Sequence, residues 1–510
     1  MHNNKNSKLK NQIVRLSTFI LFKYGLGLEE MKDKKLYSIE DCNNLSNQQV
    51  REMYKKYINP SIEYIFNTFD LGNEIVDHAE GVWIYTKNNE KILDSTGGIG
   101  VLSHGHNHHK IIQARIEFQK RKHMEVHKTI FSPYMAALSH NIANLLPEDL
   151  NYSFFCNSGA EAIEGALKLA YKYHEGKRKV ALHSDISYHG KLLGSASITA
   201  SKEVHFRYPR IPDTHSFKFN NIESVKERIK QFKKESGESN IYALFIEPFS
   251  AGNIRSCSMK FLQEVQKICN EEKIILIFDE IYTGWYKTGN RFYFMGHGVT
   301  PDILATSKTL GGGKSSISAY VTREPILKKA YGNTRDATLH TTTYNGMGEE
   351  CITALEAINI MEEENFKEKS FRIEEITKQR CKQLIQKFPE QITECRGSGA
   401  LHGIFIKTEK SIFEAILKII PLEITKDEKF FLKLVIASLA DWMYKHHKIY
   451  VLFSNADEIA LLFTPSIIME NKEINYFFNS LEDALQTGIN KITMEFVKKQ
   501  AVHMLNIFKK

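Results

Sequence analysis

Two residues of this chain have the type and setting for covalent and acid–base chemistry at one sheet edge. "IILIFDEIYTG" ends an apolar run in Asp279, and "PDILATSKTLGGG" sets Lys308 between a second apolar run and three glycines. Ligands of open α/β sheets bind outside the carboxyl ends of the strands, so an acid at such an end either caps the next turn or faces a protonatable ligand atom. The segment "PDILATS" has about the length needed to leave that edge and return to it. An amine and a carboxylate placed this way suit pyridoxal 5'-phosphate, which needs a lysine for its Schiff base and an anion to keep its ring nitrogen protonated. A phosphate site is then required. In "FFCNSGAEAIEGALKLAYKYHEG", Asn157, Ser158 and Gly159 precede a helix whose Ala162, Ile163, Ala166, Leu167 and Ala170 share one face. Free N–H groups at a helix start bind phosphate, and glycine permits close approach. "SYHGKLLGS" adds Tyr188, whose ring can stack on a pyridine, and His189. Read singly, each has a plainer use: Lys308 as a solvated charge, Ser158 as an N-cap, Tyr188 as a core ring.

The elements that must hold these residues are short apolar runs such as "YALFIEP" (Tyr242 to Pro248) and "KIILIFDE" (Lys273 to Glu280), each preceded by a charge-studded helical segment. That alternation, over 110–365, predicts an α/β domain around a mainly parallel sheet buried on both faces. Residues 51–109 read as an N-terminal segment of short strands and turns, with a hairpin over "KNNE" and a glycine-rich loop after it. Residues 366–490 read as a smaller α+β domain, 1–50 as a basic extension, and 491–510 as a basic, partly amphipathic helix. The 510 residues are 42% hydrophobic and 25% charged, a globular balance. A formal charge of +8 is small for this length, and no zinc-finger spacing or RNA-binding signature accompanies it, so nucleic acid is not expected. The seven cysteines are scattered and never form a CxxC pair, which predicts no disulfide framework, no metal site and a reducing, cytoplasmic setting. "LSTFILF" (Leu16 to Phe22) is too short to span a membrane and reads as part of a short amphipathic helix.

Taken in order, "GGIGVLSHGH", "NSGAEAIEGALKLA", "YHGKLLGS", "IEP", "DEIYTG", "PDILATSKTLGGG", "HTTTY" and "RGSGALHG" resemble the class III, fold type I aminotransferases that use pyridoxal phosphate. The resemblance runs from about Asn59 to Leu485, and "YSFFCNSG" with "HTTTY" looks most like the putrescine and ornithine type. It implies a seven-stranded, mainly parallel sheet between helices, and a second, smaller domain. It also implies roles. Lys308 matches the Schiff-base lysine and proton shuttle, and Asp279 the partner of the ring nitrogen. Ser158, Gly159 and Ala160 match the phosphate cup, Tyr188 the stacking ring and His189 its neighbour. Glu247 matches a glutamate on the cofactor and substrate side. Thr343 matches a phosphate ligand given by the partner subunit, so a homodimer with shared active sites is implied. The histidines at 104, 106, 108 and 109 fall in a Gly-His turn of the family rather than a metal site. Lys314, the other lysine beside the glycines, has no counterpart there.

Three positions depart from the family pattern. Tyr282 stands where glutamine is common; its hydroxyl is expected to take over the contact to the cofactor ring oxygen. "FSAGNI" replaces a Gln-Gly-Glu-Gly-Gly-like run after "IEP". Leu462, in "EIALLFTPSI", stands where many members carry an arginine, which leaves Arg255 or Arg291 as candidates to meet a carboxylate. The expected activity is transfer of an amino group from a primary amine, an ω-amino acid or a diamine, to a 2-oxo acid by a ping-pong mechanism. The alternatives are an aminomutase or epimerase on the same framework, and a non-catalytic ligand-binding relative.

Overall fold

A computed structural model of the chain describes residues 36–147, 149–200, 208–407, 428–454 and 456–508. The apolar run at Leu16 to Phe22 and most of the basic extension lie outside these residues. The chain divides into two units, 1–63 and 64–510. In the first, the short helices Ile39–Asn43 and Asn47–Met53 each start at a serine whose hydroxyl accepts the N–H three residues on, while the residue there returns the bond to the serine N–H.

The second unit is built on a seven-stranded sheet. Its strands are β1 (Leu150–Cys156), β2 (Val180–Ser184), β3 (Thr214–Phe217), β4 (Ile241–Ile246), β5 (Ile275–Asp279), β6 (Ile303–Thr306) and β7 (Ser318–Arg323), in the order β1-β7-β6-β5-β4-β2-β3. Only β7 runs against the others. Every residue of β2, β4, β5 and β6 is buried, because helices cover both faces, and that is why these strands read as unbroken apolar runs.

Two smaller sheets flank the large one in sequence. The hairpin over "KNNE" forms, with Trp83–Thr86 antiparallel to Lys91–Asp94. A strand from far along the chain, Ile449–Tyr450, joins it in parallel, with Ile449 opposite Leu93. Ile392–Ser398, Leu401–Ile406, Leu461–Phe463 and Leu452–Phe453 make an antiparallel sheet against the helices Phe366–Lys387 and Asn471–Thr487. The closing basic segment is helical over Ile489–Phe508. No helix among the described residues is long and apolar enough to cross a membrane.

Candidate active site

Three neighbouring strands deliver three ionisable groups to one edge. Glu247 follows β4, Asp279 ends β5, and Lys308 comes two residues after β6. Asp279 pairs in register with Ala305, so the turn carrying Lys308 starts beside it. Asp279 is 5% exposed. One of its carboxylate oxygens lies 2.7 Å from His189 Nδ1, and the other accepts the Ile281 N–H at 3.0 Å. The His189 backbone N–H donates to Thr199 Oγ1 at 2.9 Å, and its Nε2 is buried without a hydrogen-bond partner. Glu247 accepts the Tyr188 N–H at 2.9 Å, which fixes the loop while leaving Tyr188 51% exposed.

Lys308 sits at φ +47, a left-handed conformation uncommon for a non-glycine residue. Its amine donates to the Ile99 carbonyl at 3.1 Å and lies 3.9 Å from the centre of the Tyr282 ring. It has no ion pair among the described residues. Burial pushes its pKa down to about 8, against the pull of Asp279 and Glu247. Burial pushes Glu247 the other way, up to about 7, with Asp279 adding to the rise and His189 opposing it. An amine and a carboxyl group are thus both poised to exchange protons near neutrality.

The helix α1 (Gly159–Tyr173) begins at Ser158, whose hydroxyl accepts the Glu161 N–H. The Glu161 carboxylate in turn takes the N–H groups of Asn157 (2.9 Å) and Ser158 (2.7 Å). Gly159 and Ala160, the first two helical residues, keep N–H groups with no partner among the described residues, which is the arrangement an anion needs. Ser318 Oγ donates to the Ser158 carbonyl at 2.7 Å and holds the turn. Gly190 allows the Tyr188–His189 loop to close on this helix start: at φ +125, a Cβ there would lie 2.8 Å from the Ala160 Cβ. An open pair of N–H groups, an exposed tyrosine, a buried carboxylate and an amine without an ion pair fit pyridoxal phosphate in chemistry.

The other expected residues fall further out. Thr343 is exposed, on a segment tied down by Lys128 to the Thr342 carbonyl and by Asn157 Nδ2 to the Tyr344 carbonyl at 3.3 Å. Lys314 is exposed. Arg255 is engaged twice with Glu458, at 2.6 and 2.9 Å, and Arg291 grips Glu362 at 3.0 Å. Leu462 joins an apolar cluster with Phe249, Ile254, Leu401 and Tyr282. Burial pushes the Tyr282 hydroxyl pKa up to about 12, with neighbouring Thr464 opposing the rise.

Sequence reasoning did not identify the Ile99 carbonyl, Thr199, Lys287 or Glu280. Glu280 is fully buried and accepts the N–H groups of Tyr293 (2.7 Å) and Phe294 (2.9 Å), so it anchors the turn rather than facing the site. The run "GGIG" was the available signal for Ile99, since consecutive glycines mark unusual backbone.

The model of the class-III aminotransferase family matches residues 70–485. Among solved structures, a transaminase from the marine bacterium Virgibacillus is 21% identical, with 88% of this chain and 99% of that one covered and a TM-score of 0.74. The ornithine aminotransferase of Toxoplasma gondii is 20% identical over 91% of this chain and 100% of that one, with a TM-score of 0.71. An (S)-enantioselective omega-transaminase from Thermomicrobium roseum is 22% identical, with coverages of 81% and 92% and a TM-score of 0.69.

Proposed function

Because the chain belongs to the class-III aminotransferase family and is a pyridoxal-phosphate-dependent transaminase, we propose that it takes an amino group from a primary amine and gives it to a 2-oxo acid in two separate half-reactions. The observation that carries this reading is that adjacent parallel strands bring a buried carboxylate at Asp279 and, just past the next strand, the amine of Lys308 to one sheet edge. When bound, the cofactor supplies an electrophilic carbon and a protonated ring that draws electrons from the carbon bearing the nitrogen.

The chain supplies the rest. Asp279, aligned by His189 at 2.7 Å, would be the partner of the ring nitrogen. The N–H groups of Gly159 and Ala160, with the Ser158 hydroxyl, would hold the phosphate, and Tyr188 would be the stacking ring. Lys308 would be the lysine that holds the cofactor, and its amine is the group placed to move a proton at the substrate carbon. Of the donor classes, a diamine fits better than an ω-amino acid. Arg255 and Arg291 are both committed to carboxylates, Leu462 is apolar, and Glu247 adds an acid beside the amine site. The working unit is read as a homodimer that shares its sites, with Thr343 reaching the partner's phosphate; Phe131 (101% exposed), Ile130 and Tyr344 supply apolar surface for it.

The test is the visible spectrum of the purified holoenzyme as amines are added singly, followed by a 2-oxo acid. A band that bleaches with a diamine and returns with the 2-oxo acid, together with borohydride trapping of the cofactor on the Lys308 peptide, is the expected result. Trapping on another lysine overturns the assignment of Lys308. A band that no amine moves overturns the transfer reaction.

A further inference from the structure

We propose that Tyr282 and Ile99 form a cradle for the free amine of Lys308, in which Tyr282 acts through the face of its ring rather than through its hydroxyl. The inference rests on Lys308 as the working amine and assigns a positioning role to two residues beside it.

Among the described residues no hydrogen bond joins the Tyr282 hydroxyl to Lys308; its neighbour is Thr464, whose Oγ1 donates to the Thr96 carbonyl at 2.8 Å. The ring, in contrast, covers the amine with its centre 3.9 Å away, and electron-rich ring faces attract ammonium groups at such distances. On the ring's flank lies Gly100, at φ +85. A Cβ there would lie 2.8 Å from Tyr282 Cε1 and 3.0 Å from Cζ, so only glycine leaves room for this ring. The residue before it, Ile99, is β-branched yet sits at φ +60, and its carbonyl accepts from the amine at 3.1 Å. A β-branched residue in that region is strained, and such strain persists only where the surroundings enforce it. The turn is held on both sides of Ile99: its own N–H donates to the Thr96 carbonyl at 3.2 Å, Thr309 Oγ1 donates to the Gly100 carbonyl at 3.0 Å, and Thr464 donates its N–H to the Ser95 carbonyl at 3.0 Å. Two independent irregularities, a required glycine and a strained isoleucine, therefore converge on one amine.

The titratable groups around that amine are Asp279 and Glu247 at the sheet edge, Tyr282 above it, and Lys287 in the turn that follows. A ring face favours the charged amine, so the cradle offsets part of the burial cost and holds the Lys308 pKa above the value that burial alone would set.

The experiment measures the amine itself. The full-length protein, freed of cofactor, is reductively methylated across a pH series, and modification of the Lys308 peptide is followed by mass spectrometry. Tyr282→Phe keeps the ring and is expected to leave the Lys308 pKa near its value of about 8. Tyr282→Leu, which fills the space without a ring, is expected to lower it by about half a unit to one unit, making methylation at pH 7 roughly three- to fivefold faster. Pentafluorophenylalanine at 282 has almost the shape of phenylalanine but an electron-poor face, so it folds alike and is expected to shift the pKa the same way as Leu. Equal pKa values for the phenylalanine and fluorinated proteins overturn the cradle. Because the readout needs neither cofactor nor substrate, failure of the aminotransfer reading would show up separately, in the spectrum of the holoenzyme.

Discussion

Lys308 and Lys287 lie in one buried neighbourhood, and burial drives both amines toward the neutral form, Lys308 to about 8 and Lys287 to about 7. Lys287 is fully buried, and its amine donates to the carbonyls of Thr464 (3.0 Å) and Pro465 (2.6 Å), so it ties the turn after Asp279 to the strand end that also holds Tyr282. The sign of its pH effect follows from proton counting. Between about pH 7 and the ordinary lysine value of 10.5, the unfolded chain binds a proton at Lys287 that the folded chain does not, so folding is favoured as pH rises through that window. Glu247 and Glu280, both pushed up to about 7 by burial, act oppositely and in a lower window: their folded forms hold protons the unfolded chain has lost, so stability falls as pH rises toward 7. Comparison with Lys287→Met cancels those carboxyl terms. Urea unfolding from pH 6 to 10 is expected to show the wild type gaining stability relative to the variant above pH 7, whereas parallel curves would contradict the buried, titrating amine.

At the scale of elements, the site depends on how closely the Tyr188–His189 loop approaches the start of α1, and Gly190 sets that approach. Gly190→Ala places a methyl group 2.8 Å from the Ala160 Cβ and 3.0 Å from Ser195 Oγ in a backbone region unfavourable to alanine. A strain cost of about 1–3 kcal/mol would displace either the loop or the helix start. Cofactor affinity, read by fluorescence titration, is expected to fall about tenfold or more with the fold retained in circular dichroism. Much of this arrangement was legible in the sequence. Unbroken apolar runs ending in Asp279 and preceding Lys308 specify parallel strands buried on both faces, and neighbouring parallel strands necessarily present their carboxyl ends together. The apolar stripe from Ala162 to Ala170 specified which face of α1 is buried, as it is. The Ile99 carbonyl and the use of the Tyr282 ring were not legible, because each rests on contact between segments far apart in the chain and on a backbone angle that composition does not encode. The same holds for Arg255: its charge was evident, but its capture by Glu458 on a distant segment was not.

For the whole molecule, the dimer reading rests on apolar side chains that a lone chain leaves in water. Phe131, Ile130 and Tyr344 belong to two segments bound together where Lys128 meets the Thr342 carbonyl, beside the phosphate cup held through Asn157. A charge in such a patch opposes association far more than it disturbs the isolated fold. Phe131→Asp is expected to give monomers in sedimentation velocity at micromolar concentration and to weaken cofactor binding in the same preparation; an unchanged sedimentation coefficient would count against this interface. The pairing of Ile449 with Leu93 carries a different consequence, one of timing. All seven strands of the large sheet are complete by Arg323, so Asp279 and Lys308 can meet while the rest of the chain is still on the ribosome. The Ile99–Gly100 turn can dock on that edge at once, because Lys308 donates to the Ile99 carbonyl at 3.1 Å and Thr309 Oγ1 to the Gly100 carbonyl at 3.0 Å. Only its Ser95 end waits for Tyr450 and Thr464, so vectorial synthesis closes the surroundings of the amine from within and seals their outer edge last.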